Sequence, residues 1–377
     1  MSYVIDIDYI LLNVLLVIVF YYAGCKLRNT PHVLPYMWSC IISFTFVLGS
    51  RYLRGNDYLR YQHTFLYDDD ASQVIFTQFN TFLRWIGINE DTFLYIYSFI
   101  FIIGALIFLK TFKPYLKYLL PAFLIAFIFF NEYCIRQALG FSFIFLYMKE
   151  LFKFDEKTDH IAKRILILAL YAFLAYSMHS VNALNLVFIT AIYLCSFRLI
   201  SWKITIPTFI ICALFLSQSI NWKIFETFLG TIGGFNEKFS IYTNQADTFF
   251  SGNAFQKDYT RSFGGNILEM IGHSSLLYLG YRTIREFFNE KKYFALYNIY
   301  ALGAIIDRCF WNYELLRRVF DPMLAFWCFT FAFVLAKANK LRKIDKVILL
   351  GLFYFIYEMG FKYLVERGDM TLFLWDK

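Results

Sequence analysis

The chain has 377 residues, 59% of them hydrophobic and 22% aromatic, and its 36 Lys and Arg against 28 Asp and Glu leave a formal net charge of +8. With a mean hydropathy of +0.51, this composition excludes a water-soluble domain of the same size and predicts a polytopic integral membrane protein. The positive excess does not point to nucleic acid, because most lysines stand in short connections between apolar runs, where membrane topology accounts for them.

Allowing about twenty residues per crossing, the apolar runs predict 12 transmembrane helices, near residues 9–24, 34–50, 92–109, 118–130, 135–151, 164–177, 180–197, 204–220, 266–281, 294–306, 320–336 and 347–364. No alternating barrel pattern occurs, so the expected fold is all-α, a single transmembrane domain over 1–377. The first run is preceded by Asp6 and Asp8 rather than a basic segment, and no small-residue cleavage site follows it, so it is expected to remain as a span. In the loop 51–91, Val74, Ile75, Phe79, Phe82, Leu83 and Ile86 repeat at helical spacing and predict an amphipathic helix over 74–86 on the outer membrane face.

Residues 118–148 form an apolar stretch that as one helix would measure about 46 Å, against a hydrocarbon core of about 30 Å. A hairpin is required, and Asn131, Glu132 and Tyr133 are its expected turn. The first arm is then short, which recesses Arg136 below the membrane surface; the same reasoning over 164–197 puts a turn near Ser177–Asn182 and recesses His179. Arg51 and Arg308 end short spans in the same way, and unpaired charge at that depth costs at least about 2.5–3.5 kcal/mol. The four residues are therefore expected to line one outward-facing cavity, with pairing to Glu132, Asp307 or Glu314 as the structural alternative. The second long loop, 221–265, carries six glycines among aromatic residues and is expected to be a mobile substrate loop.

Six connections collect 15 lysines and 6 arginines, and all fall on one side of the predicted topology, which places them in the cytoplasm and both termini outside. The remaining basic residues are 10 arginines and 5 lysines. Topology requires only positive charge, so it does not explain this preference for guanidinium, whose planar fork grips phosphate or carboxylate through paired hydrogen bonds.

The densest outer segment is Arg51-Tyr52-Leu53-Arg54-Gly55-Asn56-Asp57-Tyr58-Leu59-Arg60-Tyr61. Its arginines suit a diphosphate, Asp57 suits a proton acceptor or an arginine-orienting group, and Tyr58 and Tyr61 suit stacking on sugar rings. Together with Ile135-Arg136-Gln137 and Tyr176-Ser177-Met178-His179-Ser180, it resembles the EpsG and Wzy group of exopolysaccharide and O-antigen polymerases. Arg308-Cys309-Phe310-Trp311-Asn312-Tyr313, followed by Arg317 and Arg318, is similar to that group's late Arg-plus-aromatic segment. The chain departs from the pattern at Asn56, where Thr is common, and in the doubled Arg317-Arg318.

The resemblance implies a GT-C-like polymerase architecture in the bacterial cytoplasmic membrane. It implies a polyprenyl-diphosphate-linked oligosaccharide as substrate, no cofactor, and flippase and chain-length regulator proteins as expected partners. Catalytic roles fall on Asp57, His179 and Arg136, and substrate binding on Arg51, Arg54, Tyr58, Tyr61, Gln137, Arg308, Tyr313, Arg317 and Arg318. The general base stays open among Asp57, His179, Glu269 and Glu314. A ligase of similar architecture, a lipid-linked oligosaccharide flippase and a membrane acyltransferase are the rival functions. A flippase should show repeated halves, which this chain lacks, and an acyltransferase has no need of so many outer arginines.

Metal sites are not expected. Asp6-Ile7-Asp8 reads as an acidic flank and Asp68-Asp69-Asp70 as a solvated turn. His63 and His273 show no partner in the sequence, and His273 reads as a packed histidine. The seven cysteines (Cys25, Cys40, Cys134, Cys195, Cys212, Cys309, Cys328) have no paired spacing, so no disulfide framework or thiolate metal site is expected.

Overall fold

The computed structural model describes residues 7–53, 58–67, 74–154, 161–216, 263–311, 314–356 and 372–376. In chain order the helices are α1 (Ile7–Asn29), α2 (Leu34–Gly49), α3 (Tyr58–Tyr67), α4 (Val74–Trp85), α5 (Phe93–Leu109), α6 (Leu116–Tyr133), α7 (Ile135–Leu151), α8 (Ile161–Met178), α9 (Asn182–Cys195) and α10 (Trp202–Ile211). A π-helical turn, Cys212–Leu216, follows α10; then come α11 (Phe263–Phe287), α12 (Lys291–Cys309), α13 (Glu314–Leu324), α14 (Trp327–Ala336) and α15 (Lys343–Ile356). Two short strands, β1 (Arg51–Tyr52) and β2 (Leu372–Phe373), pair antiparallel with Arg51 opposite Phe373.

The helices begin and end where local chemistry directs. Pro35 opens α2, where its missing N–H costs nothing, and the Ser201 side chain caps α10 by accepting from the Lys203 N–H. The hairpin forms as the length argument requires, but its turn falls just past the expected Asn131–Tyr133, which stay helical: α6 ends at Tyr133, α7 starts at Ile135, and Cys134 between them leaves helical geometry (φ −108°, ψ 52°). The turn between α8 and α9 likewise falls within the predicted 177–182. Three expectations change. The 320–336 run is divided between α13 and α14 near Ala325 and Phe326. An additional helix, α3, occupies the predicted 51–91 loop, and α11 begins at Phe263 inside the predicted 221–265 loop, the rest of which lies outside the described residues.

Burial is arranged for lipid rather than water. On α1, Tyr9, Asn13, Leu16, Phe20 and Leu27 face inward, while Ile7, Leu11, Leu15, Ile18 and Tyr22, on another face, are about half exposed or more. On α8 only Ala175, Ser177 and Met178 are buried, and Leu166, Leu170 and Phe173 point outward. Such long exposed apolar stripes are stable only against hydrocarbon. Among the described residues, Ile7–Asn29, Phe93–Tyr133, Ile161–Met178 and Val319–Ala336 are long and apolar enough to cross a membrane, and the chain is an all-α membrane protein.

Because lipid removes much of the hydrophobic drive between helices, close packing and ring contacts carry the association. A Cβ on Gly104 of α5 would stand 2.5 Å from the Ser142 carbonyl oxygen of α7, so only glycine permits that crossing. Phe101, Phe123, Phe127, Phe141 and Phe145 form a continuous aromatic core on α5, α6 and α7. Phe326, at the α13–α14 break, joins the late helices to it through Phe127 at 6.1 Å and Phe141 at 6.5 Å. Tyr9 near the start of α1 reaches Glu132, and Leu374 N–H donates to the Ser50 carbonyl, so both ends of the described chain lie at the same end of the bundle as Arg51.

Candidate active site

The first cluster of predicted residues gathers where α2 gives way to β1. Arg51 is only 1% exposed, and its Nη1 donates to the Asn131 carbonyl oxygen at 2.9 Å and to Asn131 Oδ1 at 3.5 Å. The residues expected merely to turn the hairpin therefore also anchor an arginine. β2 holds the backbone of Arg51 from the other side, and the chain then turns at Leu53 in the left-handed region (φ 50°), a conformation that costs a leucine about 1–2 kcal/mol. Strain of that kind tends to persist where a site requires it.

Tyr58 opens α3, is 1% exposed and packs edge-on against Tyr52 at 5.9 Å. Burial, with a smaller contribution from Asp91, pushes its phenol up to about 12 even though Arg51 opposes the shift. It therefore remains a neutral hydroxyl at any physiological pH. Tyr58, Phe76, Tyr97, Ile135 and Met178 share one small core, with Tyr52 and Tyr61 packed against its edge. The amphipathic helix α4 contributes Phe76, Asn80 and Leu83 to the protein interior. That buried face meets α5 and the end of α8, while Val74, Phe82 and Ile86 of the predicted apolar face stay exposed; Asn80 accepts a hydrogen bond from Tyr97.

Arg136 is the second residue of α7, is 8% exposed, and lies over the Phe76 ring at 4.6 Å. A cation in the first helical turn opposes the helix dipole, so this position favours a negatively charged group beside it. Gln137 is buried next to it, and its carbonyl accepts from Asn182 Nδ2 at 3.3 Å. His179 is half-buried in the α8–α9 turn directly after Met178, and its carbonyl accepts from the Asn182 N–H at 2.9 Å. Asn182 thus ties the Gln137 and His179 backbones together.

Arg308 belongs to a second cluster, on α11, α12 and α13. It is 3% exposed, its guanidinium meets the Glu269 carboxylate, and Asp307 Oδ2 lies 3.9 Å from its Nε. The Trp311 ring stands between two arginines, 4.3 Å from the Arg308 guanidinium and 4.8 Å from that of Arg317. Arg317 lies 3.7 Å from Asp307 and 3.6 Å from Asp321. Arg308 is therefore counterbalanced by Glu269 in addition to the expected Asp307. His273 is a packed, helix-bonding histidine, as the sequence reading has it: its Nδ1 is 2.9 Å from the Tyr300 hydroxyl, and its Nε2 is 3.8 Å from Glu269. Tyr300, His273, Glu269 and Arg308 make a buried polar string. Its sequence signal is the i,i+4 pair of Glu269 and His273 inside an apolar helix. His63 packs on Tyr67 at 4.6 Å.

Arg54, Asp57 and Tyr313 lie outside the described residues, as do the side chains of Glu314 and Arg318. The structure thus brings Arg51, Tyr58, Tyr61, Arg136, Gln137 and His179 around one aromatic core, and sets Arg308 and Arg317 in a neighbourhood of carboxylates. No curated protein and no solved structure matches the chain. Residues 34–374, which include every element of both clusters, match the EpsG family. The chain belongs to that family, one of polysaccharide polymerases.

Proposed function

We propose that the protein joins polyprenyl-diphosphate-linked oligosaccharide repeat units into a surface polysaccharide, on the outer face of the cytoplasmic membrane. The observation that carries this reading is Arg136, buried at the positive end of α7 and stacked on Phe76 within a core shared with Tyr58 and the His179 turn. A buried guanidinium at a helix N-terminus suits a diphosphate. Membership of a polysaccharide polymerase family supports the same conclusion.

In this mechanism an acceptor sugar hydroxyl attacks the anomeric carbon of the donor glycan. The new C–O bond forms as the bond to diphosphate breaks, the polyprenyl diphosphate departs as an anion, and the hydroxyl proton passes to a base. Arg51, Arg54 and Arg136 hold the departing anion, each charge-assisted hydrogen bond contributing about 1.5–3 kcal/mol. Tyr61, at the edge of the core that buries Tyr58, stacks on sugar, Gln137 orients it, and Asp57 or His179 receives the proton. Arg308, Arg317, Arg318 and Tyr313 form the second part of the binding surface, where Glu269 and Asp307 offset the repulsion between the cations until substrate arrives.

The reading keeps 12 spans, a GT-C-like architecture, outward termini, no metal, and flippase and chain-length regulator proteins as working partners. Deleting the protein and examining lipid-linked and surface glycan tests it. Loss of a polymerase leaves single repeat units. Unattached polymer would instead indicate a ligase, and units trapped inside would indicate a flippase.

A further inference from the structure

Cys212 and Cys309 are 97 positions apart, yet the fold sets their Sγ atoms at 3.1 Å. Cys212 opens the π-helical turn after α10 and is 2% exposed; Cys309 closes α12 directly after Arg308 and is partly exposed. Bonded sulfurs lie about 2.05 Å apart, so about 1 Å of approach would complete the bond. Both are free thiols, and neither has a sequence spacing that announces the pair.

The geometry points to a disulfide between Cys212 and Cys309, a covalent staple between the end of α10 and the Arg308 end of α12. This rests on the outward placement in the proposed function. α12 starts with Lys291 and Lys292 and runs about 28 Å, which carries Cys309 to the end opposite those lysines, the oxidising side in that topology. The co-reactant is an envelope disulfide, protein or small molecule. Cys309, the more accessible of the two, attacks it as thiolate, forming a mixed disulfide and releasing one thiolate. Cys212 then attacks the Cys309 sulfur and releases the second. Two protons and two electrons leave the cysteines, and the oxidant departs as two thiols. The staple holds the last turn of α12, and so the Arg308 backbone, against α10 independently of Glu269.

The test is made on membranes holding the full chain, quenched in acid and then alkylated with N-ethylmaleimide, followed by digestion without reductant and mass spectrometry. The expected result is a linked peptide pair through Cys212 and Cys309, with both maleimide adducts missing and restored by dithiothreitol. Maleimide on both cysteines overturns the proposal. A second arm treats purified full-length protein with diamide. Adducts in membranes but a link under diamide would overturn the native disulfide by way of the outward placement. Adducts in both arms would overturn the pairing and leave the polymerase reading intact.

Discussion

Changing Glu269 to Gln removes the charge facing Arg308 while preserving side-chain shape, and the cost follows from the surroundings. Both residues are 3% exposed, so water screens neither. Removing one partner of such a pair costs about 3–5 kcal/mol, because the survivor stays buried and charged. Two contacts reduce this here: Asp307 at 3.9 Å, and the Trp311 ring at 4.3 Å, a cation–π contact of about 0.5–2 kcal/mol. The expected loss for Glu269→Gln is therefore about 2–4 kcal/mol. Arg308→Met should cost a similar amount, since Glu269 would stay buried without the guanidinium, with His273 at 3.8 Å. Glu269→Leu with Arg308→Met should recover most of the stability, because apolar replacement of both charges removes their desolvation penalty. With Glu269→Leu added as the matching single variant, unfolding of Glu269→Leu, Arg308→Met and their double variant in one detergent forms the double-mutant cycle. A coupling energy below about 0.5 kcal/mol, the ordinary scatter of independent sites, would refute the pairing.

Lysine at Arg51, Arg136 or Arg308 keeps the charge but loses the planar fork, so polymer length should collapse while protein level holds; full-length chains from all three variants would count against phosphate gripping. His179→Gln should keep substantial turnover if His179 only donates a hydrogen bond, whereas abolished turnover with unchanged binding of the lipid-linked substrate would make it the base. For Tyr58, burial raises the folded pKa from 10 to about 12, so the folded state retains a proton that the unfolded chain has released. The stability this provides is complete below pH 10 and falls away as pH rises to about 12. Melting temperature measured from pH 9 to pH 12 should therefore decline less in Tyr58→Phe than in the native protein; parallel curves would contradict the assignment.

The helices were legible because length alone forces the hairpins: no single helix spanning 118–148 fits a bilayer, and that run turns just past Asn131–Tyr133. Arg136 and His179 were readable for the same reason, as polar residues left beside those turns. The counter-groups were not. Glu269 meets Arg308 from a different helix, and Tyr300 reaches His273 across 27 positions. Such pairings depend on how helices rotate against one another, which periodicity along one helix does not record. α3 and the β1–β2 pair were hidden because a ten-residue polar-aromatic helix and two-residue strands are chosen by tertiary packing. The α13–α14 break was masked by the nearly continuous apolar character of 323–336, even though Asp321 and Pro322 stand just ahead of it.

The pairing of Arg51 with Phe373 also has a consequence in time. Chains grow at about 5–20 residues per second, so the early half of the cluster waits, already in the membrane, for tens of seconds before β2 exists. Until then Arg51 has Asn131 but lacks the strand beside its backbone. Maturation of this arginine thus waits for the arrival of Leu372–Phe373. A reporter or affinity handle joined after Lys377 is carried by the segment that must dock last, next to Trp375 on Phe46. The opposite end of the polypeptide is therefore the better place to attach one.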